Sequence, residues 1–206
     1  MLILFTIIGS IGSFLIPIPQ AKKAYFVSTK GVSAYTYIGL FTTAILFIPH
    51  GINTDQPFLS VAHFFSAIFT SIIIYSLVRD NKNKKLWFYQ FFISLIFLIL
   101  YIFGVLILRI IIFMVLSLCL RIPQLLKAIH DKNIEGISIH TWIFAGFSNA
   151  GWAGAAAIHH DLVLSTFTIF NILFSVVLIT IVSVRRRKFV NGAKIVVCNI
   201  DLKQII

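Results

Sequence analysis

Charge is scarce in this sequence. Asp, Glu, Lys and Arg make up 11 % of it, less than half the roughly 25 % usual in a soluble domain. Acidic residues are the rarest class: six Asp and Glu stand against 17 Lys and Arg, for a formal net charge of +11. On a soluble chain such an excess would point to nucleic acid or another polyanion. Here the basic residues fall between long apolar runs and form no basic domain, so nucleic acid is excluded as a partner. Cysteine is also sparse. Cys119 and Cys198 lie far apart, with no CxxC or Cys/His ligand spacing, and read as unpaired thiols, with neither a structural disulfide nor a metal. Ser/His/Asp sets, phosphate-binding glycine loops and paired carboxylates are missing too. The chain does not read as an enzyme, and no cofactor is implied.

Apolar residues are abundant. They form 59 % of the sequence, and the mean hydropathy is +1.01. That is too much apolar surface for one buried core, so a lipid bilayer must cover the remainder. A spanning helix takes ~20 mostly apolar residues. Runs that qualify are 1–19, 34–51, 57–78, 139–158 and 162–184. No Lys or Arg precedes Lys22, so the first run lacks the positive n-region of a signal peptide and reads as a retained span. The stretch 86–120 carries one charge, Arg109. As a single helix it would be ~52 Å long, against a hydrocarbon core of ~30 Å. It is therefore expected to be two helices that turn within 104–109, with Arg109 at a helix end, snorkelling to the interface.

Seven spans place every Lys and Arg except Arg109 on one side. Lys22, Lys23 and Lys30 follow the first span; Arg79, Lys82, Lys84 and Lys85 the third; Arg121, Lys127 and Lys132 the fifth; Arg185 to Lys188, with Lys194 and Lys203, the seventh. By the positive-inside rule that side is cytoplasmic. The N-terminus is then outside and the C-terminus inside. A six-span count would put Lys127 and Lys132 on the wrong side.

The chain also repeats itself. Ile18, Pro19, Gln20, Lys23 and Ala24 align with Ile122, Pro123, Gln124, Lys127 and Ala128. After one inserted residue, Gly31, Ser33, Thr36 and Ile38 align with Gly136, Ser138, Thr141 and Ile143. The register then runs without a gap through the third and seventh spans. Each repeat holds three helices, and the fourth helix restores the direction, so the repeats are parallel, one of the known transporter architectures.

At these motifs the chain resembles the PQ-loop superfamily, which includes the SWEET and SemiSWEET sugar transporters. The resemblance covers nearly everything up to about Val184. It implies an all-α membrane protein of seven transmembrane helices in a 3+1+3 arrangement: a first three-helix PQ-loop repeat at 1–78, a cytoplasmic loop and linker helix at 79–104, a second repeat at 105–184, and a basic tail at 185–206. Within each bundle the helices would not pack in sequence order. A central solute site would lie between the bundles and open alternately to either side. A homo-oligomer is compatible with it. The minimal loops suit a bacterial plasma membrane.

Four residues are candidates for substrate contact. Asn149 and Trp152 share a face of the sixth span, and Asn171 is the strongly polar residue of the seventh. The repeat register places Ser66 of the third span opposite Asn171. Members of the family carry an Asn on the third helix of each bundle and an aromatic on the second. Asn171 matches that pattern and Ser66 departs from it. Amides and hydroxyls can bind sugar hydroxyls, and they can equally glue helices together. Pro19 and Pro123 remove helix hydrogen bonds, freeing the carbonyls of Leu15 and Cys119. Gln20 and Gln124 could re-satisfy them, which would make two paired hinges. His63 is expected to pack within the third span, and Gly146, Ala150 and Gly154 to form a close helix contact. Asp55, Asp80, Asp131, Glu135, Asp161 and Asp201 all fall in expected loops or the tail. Without a carboxylate at mid-membrane, a facilitator of a small neutral solute, most simply a sugar, is favoured over a proton symporter. An amino-acid transporter and a non-transporting receptor of the same fold are the alternatives.

Overall fold

The computed structural model describes residues 1–119, 121–131, 134 and 136–203, with the side chains of 117–119 and 187–203 left aside. Leu120, Lys132 and Glu135, which figure in the readings above, lie outside the described residues. Everything regular among the described residues is helical. The segments are α1 (Leu2–Leu15), α2 (Pro17–Phe26), α3 (Ala34–Asn53), α4 (Pro57–Asn81), α5 (Lys85–Phe103), α6 (Leu106–Cys119), α7 (Ile122–His130), α8 (Ile139–His159) and α9 (Leu162–Lys203).

Five helical stretches are long and apolar enough to cross a membrane: Leu2–Phe26, Ala34–Asn53, Pro57–Asn81, Lys85–Phe103 and Leu162–Arg186. Their outer faces carry large apolar side chains, such as Ile3, Phe58, Phe91 and Leu173, each more than half exposed. A surface of that kind is stable against lipid and unstable against water. These features describe a multi-pass membrane protein. The long apolar run does break where expected. Gly104, in an extended conformation, ends α5, and α6 starts two residues later. Arg109, in the first turn of α6, reaches back to the Tyr101 carbonyl at 3.1 Å and lies 4.8 Å from the Tyr101 ring centroid, so its charge sits at the negative end of α5.

The first span is kinked. Ile16 joins α1 to α2, and Pro17 opens α2, where it brings no N–H to carry the α1 hydrogen-bond ladder onward. Pro19 lies one half-turn further on, inside the first turn of α2, so the kink falls ahead of the expected hinge. Pro123 likewise sits in the first turn of α7, after the break between α6 and α7.

Packing does not follow chain order. Among the described residues, α4 lies between α1–α2 and α3, and α1 makes no contact with α3; α9 lies between α6–α7 and α8, and α6 makes none with α8. α5 packs on α3, α4 and α6. The two sets meet most closely where α1 crosses α8. A Cβ on Gly9 would stand 2.6 Å from the Trp152 ring, one on Gly12 2.7 Å from Ser148 Cα, and one on Gly151 2.5 Å from the Gly9 nitrogen. The face expected from Gly146, Ala150 and Gly154 is therefore rotated. Gly154 does pack on Phe5, but Gly146 has open space and Ala150 is exposed, because α8 must turn its Ser148–Gly151 edge to α1.

Candidate functional site: a polar cavity between two interlocked ends

Ser33 and Ser138 start α3 and α8, and the loops before them hold Gly31 and Gly136. Each loop is gripped by the glutamine of the other repeat. Gln20 Nε2 donates to the Gly136 carbonyl at 2.7 Å, and Ser138 N donates to Gln20 Oε1 at 2.8 Å. In mirror fashion, Gln124 Nε2 donates to the Gly31 carbonyl at 3.0 Å, and Ser33 N donates to Gln124 Oε1 at 2.8 Å. The lysines repeat the exchange: Lys23 Nζ reaches the Ile137 carbonyl at 3.3 Å, and Lys127 Nζ the Val32 carbonyl at 3.1 Å. Both glutamines are 1 % exposed. They do not satisfy the carbonyls freed by proline, as the sequence reading had them. They satisfy backbone groups across the pseudo-twofold axis, because a side-chain amide offers one donor and one acceptor to a loop that presents one of each.

A different latch closes the opposite end. His50, near the end of α3, bridges Asp161 and Tyr101. Its Nε2 lies 2.9 Å from Asp161 Oδ2 and its Nδ1 3.0 Å from the Tyr101 hydroxyl. Gln56 Nε2 adds a contact to Asp161 Oδ2 at 3.3 Å, and Asp161 Oδ1 caps α9 by accepting from Leu164 N at 3.0 Å. Burial pushes the Asp161 carboxyl upward, but the bonds from His50, Leu164 and Gln56 outweigh it, and the group is held below its ordinary range. The latch ties α3, α5 and the α8–α9 turn together. Sequence reasoning counted Asp161 among loop acids and did not single out His50. The signal available was a His and an Asp at two helix ends on the sparsely charged side, beside Asp55, His159 and His160.

Between the two ends lies a cavity of about 60 Å³, which holds a few waters and is far below the ~300–1,000 Å³ of ordinary small-molecule sites. Phe47, Phe113 and Phe167 form a cluster with centroids 4.4 to 5.6 Å apart on its latch side. Among the sequence candidates, Ser66, Asn149 and Trp152 line the cavity and Asn171 does not. The Asn171 amide nitrogen donates to the Phe167 carbonyl within its own helix, and its Oδ1 is buried with no partner. Asn149 spends its nitrogen in the same way on Ala145. Trp152 Nε1 donates to Ser13, Ser13 to Ser148, and Ser148 to the Gly9 carbonyl, at 2.8, 2.8 and 2.9 Å. That chain runs one way, since each hydroxyl has a single proton, and it leaves Trp152 no free N–H. His63 packs as expected, 4.6 Å from Phe47 ring to ring, and it also lines the cavity, with its Nδ1 buried and without a partner.

Among the described residues, the cavity's one permanent charge is Arg121. The sequence reading placed it with the loop charges beyond the fifth span. In the structure it caps α7, is 6 % exposed, and lines the cavity with its guanidinium 5.9 Å from the Phe167 ring. The reason is that Arg121 is itself in helical backbone conformation and α7 runs on from Ile122 to His130, so the chain does not leave for a loop where the apolar run ends. No family model, no curated protein and no solved structure matches the chain.

Proposed function

We propose that the chain is a seven-span transporter of PQ-loop architecture that moves a small polar solute by alternating access. On this reading α1–α4 and α6–α9 are the two three-helix bundles and α5 is the linker. The α6–α7 pair and the polar-lined α8 supply the two spans that length or apolarity alone does not declare. The Pro-Gln end is the cytoplasmic one, because the basic residues gather there.

One observation carries the reading. A cavity whose largely apolar wall carries several polar side chains is closed at both ends, and at each end the closing bonds join one repeat to the other. Opening either end means parting the repeats there while the other end holds, which is what alternating access requires. The kinks at Ile16–Pro17 and at Arg121 lie just inside the glutamine clamp, where bending would release it.

The test is flux through purified protein in liposomes, with labelled glucose, alanine and lactate as probes. Cysteine pairs would replace Gln20 and Ser138 at one end or His50 and Asp161 at the other, in a background with Cys119→Ser and Cys198→Ser. Bridging either pair with a short bismaleimide should stop flux of whichever probe moves. Flux that continues with both ends bridged would sink alternating access.

A further inference from the structure

Arg121 has no counterion among the described residues. Among the described residues its guanidinium makes no ion pair and no hydrogen bond to protein, and the Phe167 ring is its close neighbour. A buried cation left in that state is costly unless something of opposite charge joins it. Three further cavity-lining residues hold a buried, unpartnered atom: the Trp142 indole N–H, the Thr141 hydroxyl and His63 Nδ1. Trp142 can only donate, and guanidinium can only donate. The start of α7, whose first residues present the positive end of a helix, is at the same wall. His63 Nδ1 donates or accepts according to its tautomer; the rest of the unsatisfied chemistry is mostly donor chemistry, and among the described residues no Asp or Glu lines the cavity to balance a cationic group.

The geometry points to a carboxylate as the group the cavity recognises, so that the solute is a small monocarboxylate held through Arg121. The planar fork of guanidinium matches two carboxylate oxygens, and Trp142 and Thr141 are the available partners for what remains. A zwitterionic amino acid fits less well, because its ammonium would find no anion. A neutral sugar would leave Arg121 as uncompensated as it is now. The aromatic walls leave room for a short carbon skeleton and little more. The repeat register also makes the site one-sided: the residue aligned with Arg121 is Pro17, so one bundle supplies the charge and the other supplies wall.

This inference rests on the transporter reading only for the word solute, and two measurements separate the two claims. The first is binding. Thermal unfolding of the detergent-solubilised protein is followed with lactate, alanine or glucose. Lactate should raise the midpoint of the wild-type protein and of Arg121→Lys weakly, and leave Arg121→Gln unmoved. The Gln variant removes an uncompensated charge and should fold at least as well as wild type. The second is flux. Lactate uptake into liposomes should quicken under an inside-positive potential and fall about ten-fold or more in Arg121→Gln, the scale of one charged hydrogen bond. Lactate binding lost in Arg121→Gln, with no flux of any probe, would overturn transport and keep the anion site. Flux of glucose unaffected by Arg121→Gln, with no lactate binding, would overturn the anion site and keep transport.

Discussion

Single residues in this chain act through what they leave unsatisfied. Asp161 illustrates it. Its carboxylate is held below the ordinary range in the folded protein, so the stabilisation it brings is present above the unfolded value of ~3.9 and is lost as pH falls through the folded value. The thermal midpoint should therefore drop between about pH 4 and the acid limit of the folded carboxyl, and Asp161→Asn should flatten that drop while lowering the midpoint at neutral pH. Midpoints recorded from pH 7 to pH 3 would check both. Glycines show the opposite limit, where there is no room at all. Gly12→Ala should cost about 1–3 kcal/mol from overpacking against Ser148, whereas Gly146→Ala, which meets nothing nearer than Ser175 Cβ at 4.0 Å, should cost nothing measurable. Unfolding of the two variants in the same bicelles compares them directly. Residue types alone marked Gln20, Gln124 and the glycine-serine loops as special. They could not show Arg121 to be buried, because a lone arginine beside a Pro-Gln pair looks the same in a loop and at the cap of a continuing helix.

At the scale of elements, the helix ends agree closely with the hydrophobic pattern. The expected runs 34–51 and 57–78 became Ala34–Asn53 and Pro57–Asn81, and the break in 86–120 fell at Gly104. Those features follow from length and from residues that end helices, both of which are local. Which helix touches which was less legible. The expected swap of packing order came from the resemblance and not from periodicity, since an apolar face does not name its partner. The close crossing of α1 and α8 was legible only as small residues, with the wrong face chosen. The kinks yield a prediction at this scale. Pro17→Ala should restore the helix hydrogen bond lost at the joint and straighten Leu2–Phe26. It should slow whichever flux the wild type shows, while Pro19→Ala, inside the first turn of α2, should matter less. Initial rates of uptake by the two variants separate the joint from its neighbour.

For the whole molecule, charge placement and the pseudo-symmetry of the clamp are the governing facts. Topology follows from the first. A single cysteine at Lys82 should react with a membrane-impermeant maleimide only from the cytoplasmic face, and one at Thr54 only from the other, in the background lacking Cys119 and Cys198. Labelling of intact and opened cells reads this out, and the reverse pattern would invert the proposed orientation. The alignment of the repeats was plain in the sequence, but an alignment reports equivalence and not contact. A glutamine that gripped its own loop and one that gripped the other repeat's loop would give the same register. The exchange seen in Gln20–Gly136–Ser138 and Gln124–Gly31–Ser33 has a consequence for biogenesis. The ribosome delivers the first repeat well before the second. Until the second arrives, Gln20 and the Gly31–Ser33 loop have no partners, and a buried amide without them costs about 1–3 kcal/mol per group. The Pro-Gln end must then stay open until residues up to Ser138 have left the exit tunnel, and the His50–Asp161 latch at the opposite end must wait longer still. Two half-chains made separately in one cell should find each other for the same reason, since each carries the missing half of the other's lock.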